Sequence, residues 1–459
     1  MNAIKRIHSI VHMAMSRLGG VRKKAPTCQR SKESQLQLSQ EGNCHAFVIK
    51  KFAPLCSNWH VFRNESQPKD HKFWDVMFNF RETLAMKKSL IALAAFAAVS
   101  AFAQSSVTLS GIIKGGVAQT KYSNGPAGTT NGSGLSVADG SSRFIIGGTE
   151  DLGGGLKAVF QIDTRFRVDD NGAAPTSSPI ATGNTFVGLS GGLGMIQLGK
   201  LDTHYCLGQD SHGSRATAFQ ASSCALLGYV NGGSSAQSIA NASRATNTIR
   251  YTTPTFSGFK GELNYSTAFN GSEGALGDAG KGKAVSAKLL YGNGPIKAGF
   301  SVWDAKSENR LATATRADQK AYTLFGDYNF GVATVGLTYD QSKLIGGLMT
   351  AAESETKRNV WSIPVTVPMG AGTFLFTYTK ASDIKVNGTT TADSSASLWS
   401  LGYDYSLSKR TSVGVSYAKL NNKANAGYAL YGQGSANGTP NNAVGQDASQ
   451  LYVGIRHAF

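Results

Sequence analysis

Gln450-Leu-Tyr-Val-Gly-Ile-Arg-His-Ala-Phe459, the last stretch of the chain, is the segment on which the reading of the fold turns. Side chains alternate faces along a strand, so Leu451, Val453, Ile455, His457 and Phe459 share one face, while Gln450, Tyr452, Gly454 and Arg456 share the other. One face is mostly apolar and the other polar. About ten residues is also the length with which a tilted strand crosses a bilayer. A strand of a soluble sandwich alternates in the same way, so the rest of the chain has to decide.

Working back from that strand, residues 104–459 contain no apolar run of 18 or more residues, which excludes a transmembrane helix from the pattern. A two-beat pattern with alternating short and long gaps repeats instead. Strands are predicted over Val107 to Thr120, Arg143 to Glu150, Leu156 to Val168, Asn184 to Ser190, Met195 to Leu201, Thr248 to Thr253 and Phe259 to Ser266. Tight turns are predicted at Asp151–Gly155, Gly191–Gly194, Pro254–Gly258, Gly292–Pro295, Asn329–Gly331, Pro368–Gly372 and Leu407–Arg410. Long polar loops fall at Ser123 to Gly140, Asp169 to Gly183, Asp202 to about Ala245, and near 267–283, 306–318, 341–357, 382–396 and 422–448.

One face of these strands is apolar and aromatic, as in Trp361, Ile363, Val365 and Val367, or Phe374, Phe376 and Tyr378, or Trp399, Leu401, Tyr403 and Tyr405. The opposite face tends to Ser, Thr, Gly, Asn and charge. That inverts a soluble protein, with apolar side chains turned to lipid and polar ones to water. Short turns on one rim, long loops on the other and about sixteen strands predict an all-β fold, an antiparallel transmembrane β-barrel. A propeller would show one recurring blade motif, and none is present. Unpaired backbone groups are not tolerated in hydrocarbon, so the first strand must close on the last.

The formal charge of +17 raises the question of a nucleic-acid partner, and its distribution answers it. Residues 1–103 hold 16 Lys and Arg against 6 Asp and Glu, a net +10, whereas residues 104–459 hold 29 against 22, a net +7. The basicity is concentrated outside the barrel sequence. No phosphate-cradling or nucleic-acid motif accompanies it, since the glycine clusters lie in turns and none opens a helix. Residues 86–103 read as a signal peptide: Lys87 and Lys88, an apolar run from Leu90 to Val99, then Ala101-Phe102-Ala103. Mature sequence then starts at Gln104, and residues 1–85 read as a mis-assigned N-terminal extension.

Gln104–Gly111, Ser142–Lys157, Val187–Gly191, Tyr251–Phe259 and Val453–Phe459, in that order and at their spacing, closely resemble the general porins of the Gram-negative outer membrane, in the branch typical of beta-class proteobacteria. The resemblance implies a homotrimer of sixteen-stranded barrels with short periplasmic turns and long extracellular loops. It also implies passive diffusion of small hydrophilic solutes, a third loop folded into the lumen as the constriction, and a C-terminal Phe459 read by the outer-membrane assembly machinery.

Strand parity points Arg143, Arg165, Arg167, Asn184, Arg244 and Arg250 into the lumen. The resemblance aligns basic wall residues of anion-preferring members with Arg143 and Arg244, and at a third such position Asn184 stands where arginine is expected. The third loop carries few acids, Asp202 and Asp210, against Arg215, His204 and His212. Weak to moderate anion preference follows as the expectation, the alternative for these arginines being ordinary solvated pairing with Asp163 and the loop acids. Cys206 and Cys224 both fall in the third loop, and an oxidising periplasm would allow them to pair; two free thiols are the alternative. No nucleophile elbow accompanies His204, His212 or His457, so catalysis is not expected. His204, Cys206 and His212 match no zinc spacing, so no metal or cofactor is expected. A surface receptor or adhesin is the alternative function, suggested by the Gly/Ser/Asn/Thr-rich loops.

Overall fold

The computed structural model describes residues 105–169, 180–204, 212, 215–227, 244–269, 282–306, 315–348, 354–430 and 443–459. The expected signal peptide and everything before it lie outside these residues, as do Asp210 and Cys206. The strands are β1 (Ser106–Ser123), β2 (Gly132–Asp139), β3 (Arg143–Gly153), β4 (Leu156–Arg165), β5 (Thr185–Gly191), β6 (Gly194–Asp202), β7 (Arg244–Thr252), β8 (Phe259–Ser266), β9 (Lys283–Asn293) and β10 (Ile296–Lys306). They continue as β11 (Thr315–Asn329), β12 (Thr334–Leu348), β13 (Ser354–Met369), β14 (Gly372–Ala381), β15 (Lys385–Val386), β16 (Thr389–Thr390), β17 (Ala396–Ser406), β18 (Thr411–Asn422) and β19 (Asp447–Ala458).

Each strand pairs antiparallel with its neighbours in one sheet. β2 and β3 both pair with β1, over its second and first halves respectively, and so form one wall strand interrupted at 140–142. β15 and β16 are a two-rung hairpin hung beyond β14. Merging the first pair and setting the second aside leaves a closed sixteen-stranded barrel. The interruption corrects one expectation: 123–140 is not all loop, because Gly132–Asp139 extends the wall. Glycine and serine weaken a strand's own preference, and the ladder with β1 supplies the order. The links expected at 306–318 and 341–357 shrink to 307–314 and 349–353, since β11 to β13 run longer than periodicity shows.

Closure is made by β1 against β19, in register from Ile112↔Ala458 to Ser123↔Asp447. Beyond the last rung, Gly111 N–H donates to the Phe459 carbonyl at 3.0 Å and Phe459 N–H donates to the Gly111 carbonyl at 3.1 Å. A Cβ at Gly111 would lie 2.4 Å from Phe459 Cζ and 2.6 Å from the Arg143 carbonyl, so the terminal ring sits where only glycine leaves room.

The two faces separate as the pattern requires. On β19, Leu451, Val453 and Ile455 are about half exposed toward lipid, while Gln450 and Tyr452 are almost wholly buried inside. Large apolar side chains exposed on the outer wall need no protein partner, because the bilayer is their solvent.

Candidate functional site

The third loop, L3 (203–243), leaves β6 and returns at β7, yet its described residues lie against the far wall. A short 3₁₀ turn (Phe219–Ala221) and a one-turn helix α1 (Cys224–Leu227) carry the apolar residues Ala218, Ala221, Ala225 and Leu226, all nearly unexposed. They pack on Val360, Leu398, Ala418 and Leu420 of the inner wall, together with Tyr428 and Leu430 of the last loop, L8 (423–446). Burying a leucine is worth about 1.5–3 kcal/mol, which gives L3 a reason to leave water.

Polar contacts fix its position. His204 Nδ1 lies 2.8 Å from Ser301 Oγ, its Nε2 lies 3.3 Å from Thr323 Oγ1 and 3.9 Å from an Asp340 carboxylate oxygen. Arg358, fully buried, donates to the Leu226 and Leu227 carbonyls at the end of α1 and to Asp340 at 3.1 Å. Asp340 thus meets both the start of L3 and the guanidinium that holds α1. Further along, Ala216 N–H donates to Asp404 Oδ1 at 3.0 Å, Ala218 N–H to Ser416 Oγ at 2.9 Å, and Lys114 Nζ to the His212 carbonyl at 3.4 Å. Gly414 faces this backbone, where a Cβ would stand 2.8 Å from the Ala216 carbonyl carbon, and Gly402 faces the Thr217 and His212 side chains. His212 is enclosed between Ser400 and Thr217. Burial first, then the charges of Lys114 and Arg215, push its pKa down to about 3.

The opposite arc, β3 to β7, carries the charges. Arg143 and Arg165 are paired across the β3–β4 ladder. Arg165 also reaches Asp163 at 3.3 Å, and Arg244 reaches Asp202 at 3.2 Å. Asn184, just before β5, donates to Asp202 Oδ2 and accepts from the Asp202 N–H, both at 2.8 Å. Arg250 donates to Asn264 at 2.6 Å and to the Asp202 carbonyl. Arg167 lies beyond the end of β4 and pairs with Asp169 at 2.9 Å. Lys200, which periodicity does not single out, lies within the field of Arg165 and Arg244. Arg143 and Lys200 have no ion pair or side-chain hydrogen bond among the described residues. Toward the long-loop ends of β3 to β7, Arg143, Arg165, Arg244 and Arg250 stand with Asp163 and Asp202, four cations against two carboxylates, while Glu150, Asp151 and Lys157 lie by the β3–β4 turn.

Sequence reasoning found the arginine arc by parity but not its counterpart. Nothing in the sequence singles out Arg358, Asp340 and Lys114, because they act on loop residues far away in the chain. Cys224 is disulfide-bonded; Cys206 lies outside the described residues. No group of three metal-ligating side chains occurs among the described residues.

Comparison with known proteins places this barrel. The Gram-negative porin family model matches residues 89–425. Outer membrane porin protein 32 of Delftia acidovorans is 34% identical over 385 residues, covering 82% of this chain and 100% of the relative. An outer membrane porin of Bordetella pertussis is 29% identical over 426 residues, with the same coverage of both chains. Among solved structures, the anion-selective porin from Comamonas acidovorans superposes with a TM-score of 0.59 at 29% identity, over 78% of this chain and all of that one. A closed sixteen-stranded barrel with an inward third loop, matched along its length by these proteins, belongs to the Gram-negative porin family of outer-membrane channels.

Proposed function

We propose that this porin is a homotrimeric, water-filled channel that passes small hydrophilic solutes with a weak to moderate preference for anions. The observation that carries the preference is the excess of arginines over carboxylates toward the long-loop ends of β3 to β7, with Arg143 unpaired among the described residues, facing a lumen whose other side is covered by L3 and L8. Fixed charge at a narrow, low-dielectric passage sets the local concentration of permeant ions. Asn184 in place of an arginine lowers that charge and shares Asp202 with Arg244, which moderates the preference. Reversal potentials in a KCl gradient across planar bilayers test it: chloride-directed potentials that fall in Arg143→Gln are expected, and clear cation selectivity refutes it.

Three further assignments belong to the same reading. Cys206 is the partner of Cys224, so thiol counting should find none free without reductant in the mature chain. Phe459 is the assembly signal, and its deletion should lower the amount of trimer in the outer membrane more than the conductance of each pore. Cleavage after Ala103 leaves Gln104 first, which N-terminal sequencing checks.

A further inference from the structure

Apolar side chains that face the lumen are mostly covered. Trp303 is almost unexposed beneath Phe269, the two rings meeting edge to face at 6.3 Å. Leu398, Leu420 and Tyr452 are equally hidden in the cluster with L3 and L8. Phe325 lies over Gly299, where a Cβ would come within 2.4 Å of its Cζ.

Phe186 is different. Its neighbours Val187 and Leu189 are 58% and 50% exposed on the lipid face, so Phe186 and Gly188 face the lumen. Its ladder partners are Gln161 on β4 and Gly199 on β6, which leaves glycine beside the ring both along its own strand and across it. The ring is half-buried, belongs to neither apolar cluster and makes no ring contact among the described residues. An aromatic that keeps part of its surface open to a polar passage, with glycines beside it, is an available platform for another ring.

The charges stand close by. At about 3.3 Å rise per residue, Asn184 is roughly 7 Å up β5 from Phe186, and Arg165 roughly 13 Å up β4 from Gln161. Arg143 pairs with Arg165, and Arg244 joins them through Asp202 and Asn184. An arginine stem reaching down and a ring-bearing acid reaching up together bridge that distance.

We propose that Phe186 and the cluster of Arg143, Arg165 and Arg244 form one solute subsite that takes carboxylates with a flat aromatic body. The carboxylate meets the guanidinium groups, whose planar N–H forks match its two oxygens, and the ring stacks offset or edge-on against Phe186. This rests on the anion reading above, because the arginines must be available to a permeating anion.

The test uses the full-length protein in planar bilayers in KCl, with benzoate, cyclohexanecarboxylate or acetate added. Benzoate should reduce the chloride current at concentrations where the other two do not. Phe186→Leu should weaken that block roughly two- to tenfold, the worth of one aromatic pair, and Phe186→Tyr should retain it. Equal block by benzoate and cyclohexanecarboxylate in the unmodified protein overturns the proposal, as does an undiminished block in Phe186→Leu. The unmodified protein alone decides if that variant does not assemble. Reversal potentials on the same membranes separate the two readings: a cation-selective pore overturns the anion preference, and an anion-selective pore indifferent to benzoate overturns only the subsite.

Discussion

Replacing Arg358 with methionine removes the guanidinium that holds α1 while keeping an unbranched stem of similar bulk. Arg358 is fully buried and its partner Asp340 nearly so. The substitution leaves the Leu226 and Leu227 carbonyls without their donor and Asp340 with only His204, Thr323 and Ser342 around it. Breaking a buried pair by removing one member costs about 3–5 kcal/mol. If about 3 kcal/mol of that falls on the docked loop rather than on the barrel, the undocked population of L3 rises on the order of a hundredfold. The barrel ladder is untouched, so the folded, heat-modifiable form should persist. Single-channel recording is the assay: open-channel noise and brief conductance transitions should increase strongly. An Arg358→Met channel as quiet as the unmodified one, at the same conductance, would refute the assignment of Arg358 as the mount of L3.

Acid should loosen the same loop through His212. Its pKa of about 3 in place lies below the ordinary value near 6.5, so the undocked state binds the proton first. Stability of the docked state is therefore full above about pH 6.5 and is lost as pH falls toward 3, by up to about 1.4 kcal/mol per unit. Channel noise should rise between pH 6.5 and 4, and a His212→Gln channel should lose that dependence. Gly414→Ala places a methyl 2.8 Å from the L3 backbone, well inside the 3.5–4.0 Å of ordinary carbon contact. L3 should back off by roughly 1 Å toward the arginine arc, and single-channel conductance should fall; an unchanged conductance would contradict the seating. Gly111→Ala meets both the Phe459 ring and the Arg143 carbonyl. Overpacking of this kind costs about 1–3 kcal/mol, so the yield of closed barrel in refolding should drop, as read by heat-modifiable mobility.

The sequence made the wall legible and the interior only half so. Period-two alternation and turn chemistry are local, and they located β8 to the residue and the end of the closing strand to within one, although β19 starts at Asp447, three residues before Gln450. They failed at β2, where Gly132, Ser133 and Gly134 look like loop and only pairing with β1 makes them strand. Parity also said which arginines face water without saying what they meet there. Arg165, Arg167 and Arg244 each find a carboxylate, while Arg143 does not. The mount of L3 was beyond local reading altogether, since Arg358 and Leu226 are 132 residues apart in the chain.

The seam between β1 and β19 also sets a clock. Thr120 and Gln450, joined across it by a 3.1 Å hydrogen bond, are separated by 330 residues. At synthesis rates of about 5–20 residues per second, the first strand waits roughly 20–70 s for its partner to exist. Throughout that interval its free edge offers donors and acceptors to any other extended chain. The barrel cannot protect that edge by folding part of itself early, because the strand that covers it is the last to be made.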